Sequence, residues 1–92
     1  MTTFDPIEKE RITSLHFPKI DVLADRDAQK QRTSELQRAL ALGNLEHSKI
    51  KIYFEDDQSK KVVETTVWAV TDYSVILKQG VGIPINRIYQ SY

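Results

Sequence analysis

The 92-residue chain has no cysteine, three glycines, three prolines and one tryptophan. The absence of cysteine excludes a disulfide framework, a zinc ribbon and a thiol nucleophile. The glycines, at positions 43, 80 and 82, do not form a loop that could cradle a phosphate. No apolar run approaches the roughly 20 residues of a membrane helix. We therefore expect no membrane partner, no small-molecule cofactor and no metal site.

A net charge of either sign is also absent. Thirteen Lys and Arg balance thirteen Asp and Glu, which argues against a polybasic protein that binds phosphate through charge excess alone. The 40% hydrophobic content is enough for a modest core. The first residues lack the basic and apolar segments of a secretory signal, so we expect a cytoplasmic location.

The first quarter of the chain predicts a short helix and a connector. The helix would begin at Asp5-Pro6, with Asp as the N-cap and Pro in the first turn. Its apolar stripe is weak, and Phe17-Pro18 would end it because the residue before a proline avoids helical geometry. Residues 18–25 then predict a connector.

A second helix is predicted over residues 28–42, which are rich in strong helix formers. Asp25 would cap its N-terminus. Gly43-Asn44 would supply the left-handed stop that commonly follows a helix.

From Ser48 onward the hydrophobic period changes to two, which is typical of strands. The alternation over residues 49–55 places Ile50, Ile52 and Phe54 on one face. The same signals predict four further strands, over residues 62–71, 75–78, 81–85 and 88–92. Pro84 places its strand on an edge or beside a bulge.

Five short antiparallel strands are too few for a sandwich, and a flat sheet of this size would expose an apolar face and two edges. A bend in the long second strand would roll the meander into a small barrel, with the helix before it as a cap. We therefore predict an α+β fold, with an N-terminal helix or helices followed by a five-stranded antiparallel barrel. Residues 1–25 would be a partly helical or flexible segment, and residues 26–92 a single domain.

The segment from Ala69 to Lys78, with Asp72 shortly before an apolar run, resembles the second and third strands of the Sm-like (Hfq-like) family. The order of elements over residues 26–92 is similar to that family as well. Thr66 stands where the family often has glycine, and Ile85-Asn86-Arg87-Ile88 replaces its usual corner residues. An SH3-like barrel matches this corner equally well.

The resemblance implies a ring-forming module that binds single-stranded RNA. It places Asn86 and Arg87 at the corner where Sm-like rings contact bases and phosphates. It also implies that Asp72 orders the turn before the third strand, and Gly80 would form the next turn. The residue types alone favour a solvated turn for the Asn86 and Arg87 corner.

Basic side chains on the predicted sheet are candidates for phosphate contacts. Lys49, Lys51 and Lys78 would join Arg87 in one positive patch if the sheet is rolled. Acidic neighbours such as Glu64 would neutralise much of that patch. Such charged side chains on an outer face more often keep an edge soluble.

Three aromatic residues are candidates for a stacking platform. An exposed Trp68 beside Tyr53 or Tyr73 would stack on bases or on a partner's proline. The alternative is that Trp68 lies in the core or in a subunit interface, and we rank this alternative first because tryptophan is a large apolar anchor.

Nothing in the sequence favours catalysis, so we predict a protein that is not an enzyme. His16 and His47 lie in different segments, and Glu55-Asp56-Asp57 would be a solvated hairpin tip. Two functions remain open, a single-stranded RNA-binding module and a protein-interaction or scaffolding domain without nucleic acid. We rank RNA binding first by a small margin. Self-association is expected under both, because so small a barrel buries little apolar surface.

Overall fold

A computed structural model describes residues 3–92 and has an α+β architecture. One α-helix, α1 (Arg26–Glu46), lies in the middle of the chain. The strands are β1 (Asp5–Pro6), β2 (Ile50–Glu55), β3 (Lys60–Thr65), β4 (Val67–Val70), β5 (Ser74–Leu77), β6 (Gly82–Pro84) and β7 (Ile88–Ser91). Three 3-10 helices span Lys9–Ser14, Lys78–Gly80 and Ile85–Arg87. In this part of the chain no helix is long and apolar enough to cross a bilayer.

The strands form two separate sheets, so the prediction of a closed five-stranded barrel is wrong. The four-stranded sheet has the order β1-β3-β2-β7, and the three-stranded sheet has the order β4-β5-β6. Across residues 3–92 no strand of one sheet pairs with a strand of the other. The predicted long second strand breaks at Thr66, where pairing passes from β2 to β5. The 3-10 helix Ile85–Arg87 separates β6 from β7 in the same way.

The predicted N-terminal α-helix is also wrong. Asp5–Pro6 pairs in parallel with β3, and the amide of Ile7 donates to the carbonyl of Val62 at 2.9 Å. Proline is tolerated in this position because β1 is an edge strand. Ile12 is the one buried residue of the 3-10 helix that follows. A single buried side chain gives too little packing to stabilise a short α-helix, so strand pairing determines the conformation here.

The start of α1 matches the sequence prediction, but its end does not. Asp25 caps the helix by accepting a hydrogen bond from the amide of Ala28 at 3.1 Å. The helix continues through Gly43 to Glu46, and His47 takes the left-handed conformation with φ of 53°. Gly43 instead lies against β4, where an added Cβ would be 2.2 Å from the carbonyl oxygen of Val67. Glycine at this position therefore allows the helix backbone to approach the strand.

The core lies between the two sheets and α1. The inner face of β2 is buried, as the alternation predicted, and includes Ile50, Ile52 and Phe54. The other buried apolar side chains come from the first 3-10 helix, α1, strands β3 to β7 and the residue before β6: Ile12, Leu36, Ala39, Val63, Val67, Val75, Leu77, Val81, Ile83 and Ile88. Because α1 contacts both β4 and β7, it covers the opening that the two sheets leave.

Two side chains of α1 also cover the outer edge of β7. The guanidinium of Arg32 donates to the carbonyl of Ile88 at 3.0 Å, and the carboxylate of Glu35 accepts from the amide of Ser91 at 2.9 Å. Arg32 is itself held by two hydrogen bonds to Asp21, of 2.8 and 2.9 Å. These backbone groups of the edge strand are thus satisfied within the chain.

We predict that Gly43→Ala lowers the free energy of unfolding by about 1–3 kcal/mol, because the new Cβ meets a backbone oxygen that cannot move away easily. In an unobstructed helix interior the same change is stabilising by about 1 kcal/mol. Urea denaturation measures the effect. The matched control is Ala41→Gly on the exposed side of α1, which we expect to cost about 1 kcal/mol. A Gly43→Ala variant as stable as the wild type would contradict the close approach.

Candidate functional site

A groove of about 450 Å³ lies where the end of α1 meets the first residues of β4 and the segments beside β2 and β5. We call it the Trp68 groove. Its lining residues are Gly43, Asn44, His47, Lys49, Thr66, Trp68 and Lys78. Three of the side chains predicted from the sequence, Lys49, Trp68 and Lys78, therefore lie together. No acidic side chain is among these lining residues.

Trp68 points outward and lies at a β-bulge. The pairing of β4 with β5 shifts by one residue between Val67, which lies opposite Leu77, and Ala69, which lies opposite Ile76. Trp68 is the extra residue at this shift. Its outward side is also the one that strand alternation gives to the residue after a buried Val67. The residue is 50% exposed, whereas Val67 is fully buried. Trp68 is therefore not a core residue, its place in a subunit interface stays a prediction, and its indole is accessible for stacking.

Lys49 and Lys78 supply the positive charge of the groove. Lys49 precedes β2, and Lys78 follows β5 with its amide bonded to the carbonyl of Thr66 at 3.0 Å. Both side chains are exposed, and neither forms an ion pair within residues 3–92. Both also border an adjoining surface that holds glutamates at positions 8, 10 and 64. An exposed indole that shares a groove with two lysine ammonium groups is suited to a base and its phosphates.

Arg87 is turned into the protein, although the sequence placed it at an exposed corner. It is 7% exposed, and its guanidinium donates to the carbonyls of Ile20 at 2.6 Å, Glu55 at 3.1 Å and Asp56 at 3.5 Å. The donors that a phosphate would need are thus engaged with the backbone. Neither a solvated turn nor a phosphate contact describes this residue.

Asn86 has a related role in the same 3-10 helix. The side-chain amide of Asn86 donates to the carbonyl of Lys19 at 2.6 Å. The backbone carbonyl of Asn86 accepts from the amide of Val22 at 2.9 Å. Asn86 and Arg87 together hold the connector of residues 18–25 against the strands. They do not line the Trp68 groove.

We predict that Arg87→Ala lowers the free energy of unfolding by about 3 kcal/mol, because it leaves buried carbonyls without their charged donor. Urea denaturation is the measurement. The control is Arg38→Ala on the exposed face of α1, which should stay within about 0.5 kcal/mol of the wild type. Unchanged stability of the Arg87 variant together with a loss of oligonucleotide binding would instead support the contact that the family resemblance implies.

The remaining predicted side chains lie outside the Trp68 groove. Lys51 and Tyr53 are on the outer face of β2, since the residues between and beside them are buried. Tyr73 is 83% exposed and lies in the turn before β5. It lines a second groove that also includes Asp72 and Asn86. The predicted residues therefore separate into three regions of the surface.

The two predicted turn residues have different environments. Thr71 holds the turn before β5, since its hydroxyl accepts from the amide of Ser74 at 2.9 Å and its amide donates to the Ser74 carbonyl at 2.8 Å. Asp72 is exposed, and its side chain forms no hydrogen bond among the described residues. Gly80 has φ of 84° and follows Gln79, whose φ is 71°. A residue without a Cβ suits that conformation.

Asp56 is buried, although the sequence placed it at a solvated hairpin tip. Burial alone would raise the pKa of its carboxyl. A hydrogen bond from Lys61 at 2.8 Å and two from the amides of Ser59 and Gln58 outweigh this, so the pKa lies below its ordinary value. An aspartate that accepts from amides two and three residues later is a common turn motif, and the Asp-x-x-Ser spacing was the available signal.

We predict that the free energy of unfolding decreases as the pH falls below about 5. Arg32 lowers the pKa of Asp21 chiefly through its hydrogen bonds. The pKa of Asp56 is lowered by Lys61 and by the two turn amides. A carboxylate with a lowered native pKa stabilises fully above the unfolded pKa, and this contribution is lost as the pH falls through the native value. Denaturation at a series of pH values is the measurement. Asp56→Asn should reduce the dependence of the unfolding free energy on pH, whereas Asp57→Asn, at an exposed position, should not. The same pH dependence in both variants would contradict the role given to Asp56.

Comparison of the chain with protein-family models, with curated proteins and with solved structures finds no match. The resemblance to the Sm-like family therefore stays a prediction. Over residues 3–92 there is no group of three or more histidine, aspartate or glutamate side chains arranged to hold a metal ion.

Proposed function

We propose that the protein is a non-enzymatic binding module for single-stranded nucleic acid, RNA in the first place, and that the Trp68 groove is its binding site. The observation behind this proposal is the half-exposed indole that lines one groove with two lysines, neither of which has an ion-pair partner within residues 3–92. An aromatic ring stacks on any base, because every base has a π-face. Lys49 and Lys78 would pair with the phosphates on either side.

The composition of the groove determines the kind of affinity to expect. Two lysines neutralise about two phosphates, and for single strands this gives a salt slope of roughly −1.4 in log K against log salt. Stacking of one base contributes about 1–3 kcal/mol. The net charge of zero adds no long-range attraction. We therefore expect weak binding, in the micromolar range, with little sequence preference.

A protein partner is the second candidate for the same region. Leu45 is 82% exposed at the end of α1, next to Asn44, which lines the groove. An apolar side chain of a peptide would pack on Leu45 and Trp68. The two lysines and the lack of an acidic lining residue favour a polyanion over an apolar peptide.

Titration of labelled oligo-U and oligo-A at two salt concentrations tests the proposal. Trp68→Ala should weaken binding of both oligonucleotides by about tenfold, since it removes the stacking surface. Lys78→Ala should weaken it less and reduce the salt slope by about 0.7. The matched control for the aromatic change is Tyr73→Ala, which removes an exposed ring outside the groove and should leave affinity unchanged.

A change in the opposite direction makes the test sharper. Glu64, on β3, lines the same surface as Lys49 and Lys78. It lies opposite Lys51 of β2. Glu64→Gln should therefore strengthen binding several-fold, since it removes repulsion of the phosphates. A well-folded wild-type protein that binds neither oligonucleotide would overturn the proposal and favour the peptide partner.

A further inference from the structure

The outer face of the four-stranded sheet carries four aromatic side chains in mutual contact, which we call the aromatic face. They are Phe4, Tyr53, Tyr89 and Tyr92. The ring of Phe4 meets Tyr53 and Tyr89 edge-on, with centroids 5.1 and 5.7 Å apart. Tyr92 stacks on Tyr53 at 5.3 Å with an interplanar angle of 27°. Tyr92 is the most accessible of the four, with 67% exposure.

Strand geometry explains why these rings share one face. Tyr53 points outward because its neighbours on β2 are buried. Tyr92 lies opposite Lys51, joined to it by two backbone hydrogen bonds of 2.9 and 3.0 Å. The pairing of β2 with β7 shifts beside Tyr53, and Tyr89 lies at this bulge with its hydroxyl directed to Glu55 on the same face. Tyr89 is held in place, and burial together with Glu55 raises its pKa to about 12.

The charges around the aromatic face include two cations. The ammonium of Lys60 lies 5.1 Å from the ring centroid of Tyr89 and 5.9 Å from that of Phe4. Lys51 is exposed and has no ion-pair partner within residues 3–92. The carboxylate of Glu55 on this face already accepts the Tyr89 hydroxyl.

The aromatic face is continuous with the Trp68 groove along the outer side of β2. Lys51 and Tyr53 share the outer side of β2 and lie about 7 Å apart along it, and Lys49 directly precedes the strand, two residues before Lys51. Lys49 lines the groove, and Tyr53 is the first ring of the aromatic face. A nucleic acid that is bound in the groove and extends along β2 would therefore meet Lys51 and then Tyr92.

We infer that the aromatic face is a second stacking site for the same single-stranded nucleic acid that the Trp68 groove binds. This rests on the proposed function of that groove. Tyr92 supplies the exposed ring, Tyr53 supports it from below, and Lys51 pairs with the phosphate between the two sites. Exposed rings on a sheet surface are suited to unpaired bases because the rings are rigid and flat. The full site is thus longer than the groove alone.

Oligo-U of two nucleotides and of about twelve nucleotides separates the two sites, since the groove takes one base and the phosphates on either side of it. Tyr92→Ala should weaken the longer oligonucleotide by about tenfold and leave the shorter one unchanged. Lys51→Ala should reduce the salt slope of the longer one alone, by about 0.7. A longer oligonucleotide has more overlapping positions at which it can bind, which raises its apparent affinity. This effect is the same for every variant at one length, so the variants are compared at a single length. Tyr73→Ala, an exposed tyrosine elsewhere, should change neither.

The outcomes distinguish this inference from the proposed function. If Tyr92→Ala binds both lengths like the wild type while Trp68→Ala weakens both, the inference is overturned and the groove stands. If the wild type binds neither length, the proposed function fails and the inference with it. Saturation at two proteins for each longer strand, with no effect of Tyr92→Ala, would assign the length dependence to a second copy and also overturn the inference.

Discussion

The close approach of α1 to β4 at Gly43 sets how the two sheets are arranged. Val67, the residue it meets, directly follows Thr66, at which pairing passes from one sheet to the other. A helix held this near the break covers the opening between the sheets, and its earlier turns reach β7. The end of the helix then lies beside the strand that carries Trp68, so the groove is a consequence of the same packing.

Local features of the fold could be predicted from the sequence, whereas the connection between its parts could not. The alternation that buries Ile50, Ile52 and Phe54 and the capping by Asp25 depend on neighbours a few residues away. The break at Thr66 has no such signal, because a β-branched residue fits a strand interior well. Whether a broken strand closes a barrel or starts a second sheet depends on residues far along the chain. For this reason many of the same residues form strands in the expected barrel and in the two observed sheets.

The candidate site shows the same division. Charged residue types are usually exposed, so the sequence placed Arg87 and Asp56 in solvent, but each has partners that satisfy it inside. The outward position of Trp68 follows from the burial of Val67 beside it, and the apolar residue types on both sides of this strand did not decide which face is inward. Lys49 and Lys78, by contrast, were named from the sequence as members of a positive patch on the sheet, and both line the groove. What the sequence missed was which of them meet.

The covered edge of β7 bears on how copies of this chain could assemble. A last strand without cover would offer its edge to a neighbour. A foreign strand approaching this edge would first have to displace the guanidinium of Arg32 and the carboxylate of Glu35, each held by a charged hydrogen bond of about 1.5–3 kcal/mol. Growth of a continuous intermolecular ribbon is disfavoured at this end of the sheet, and aggregation through it is resisted. Association of copies would therefore use side-chain surfaces or the edges at β1, β4 and β6 before this one.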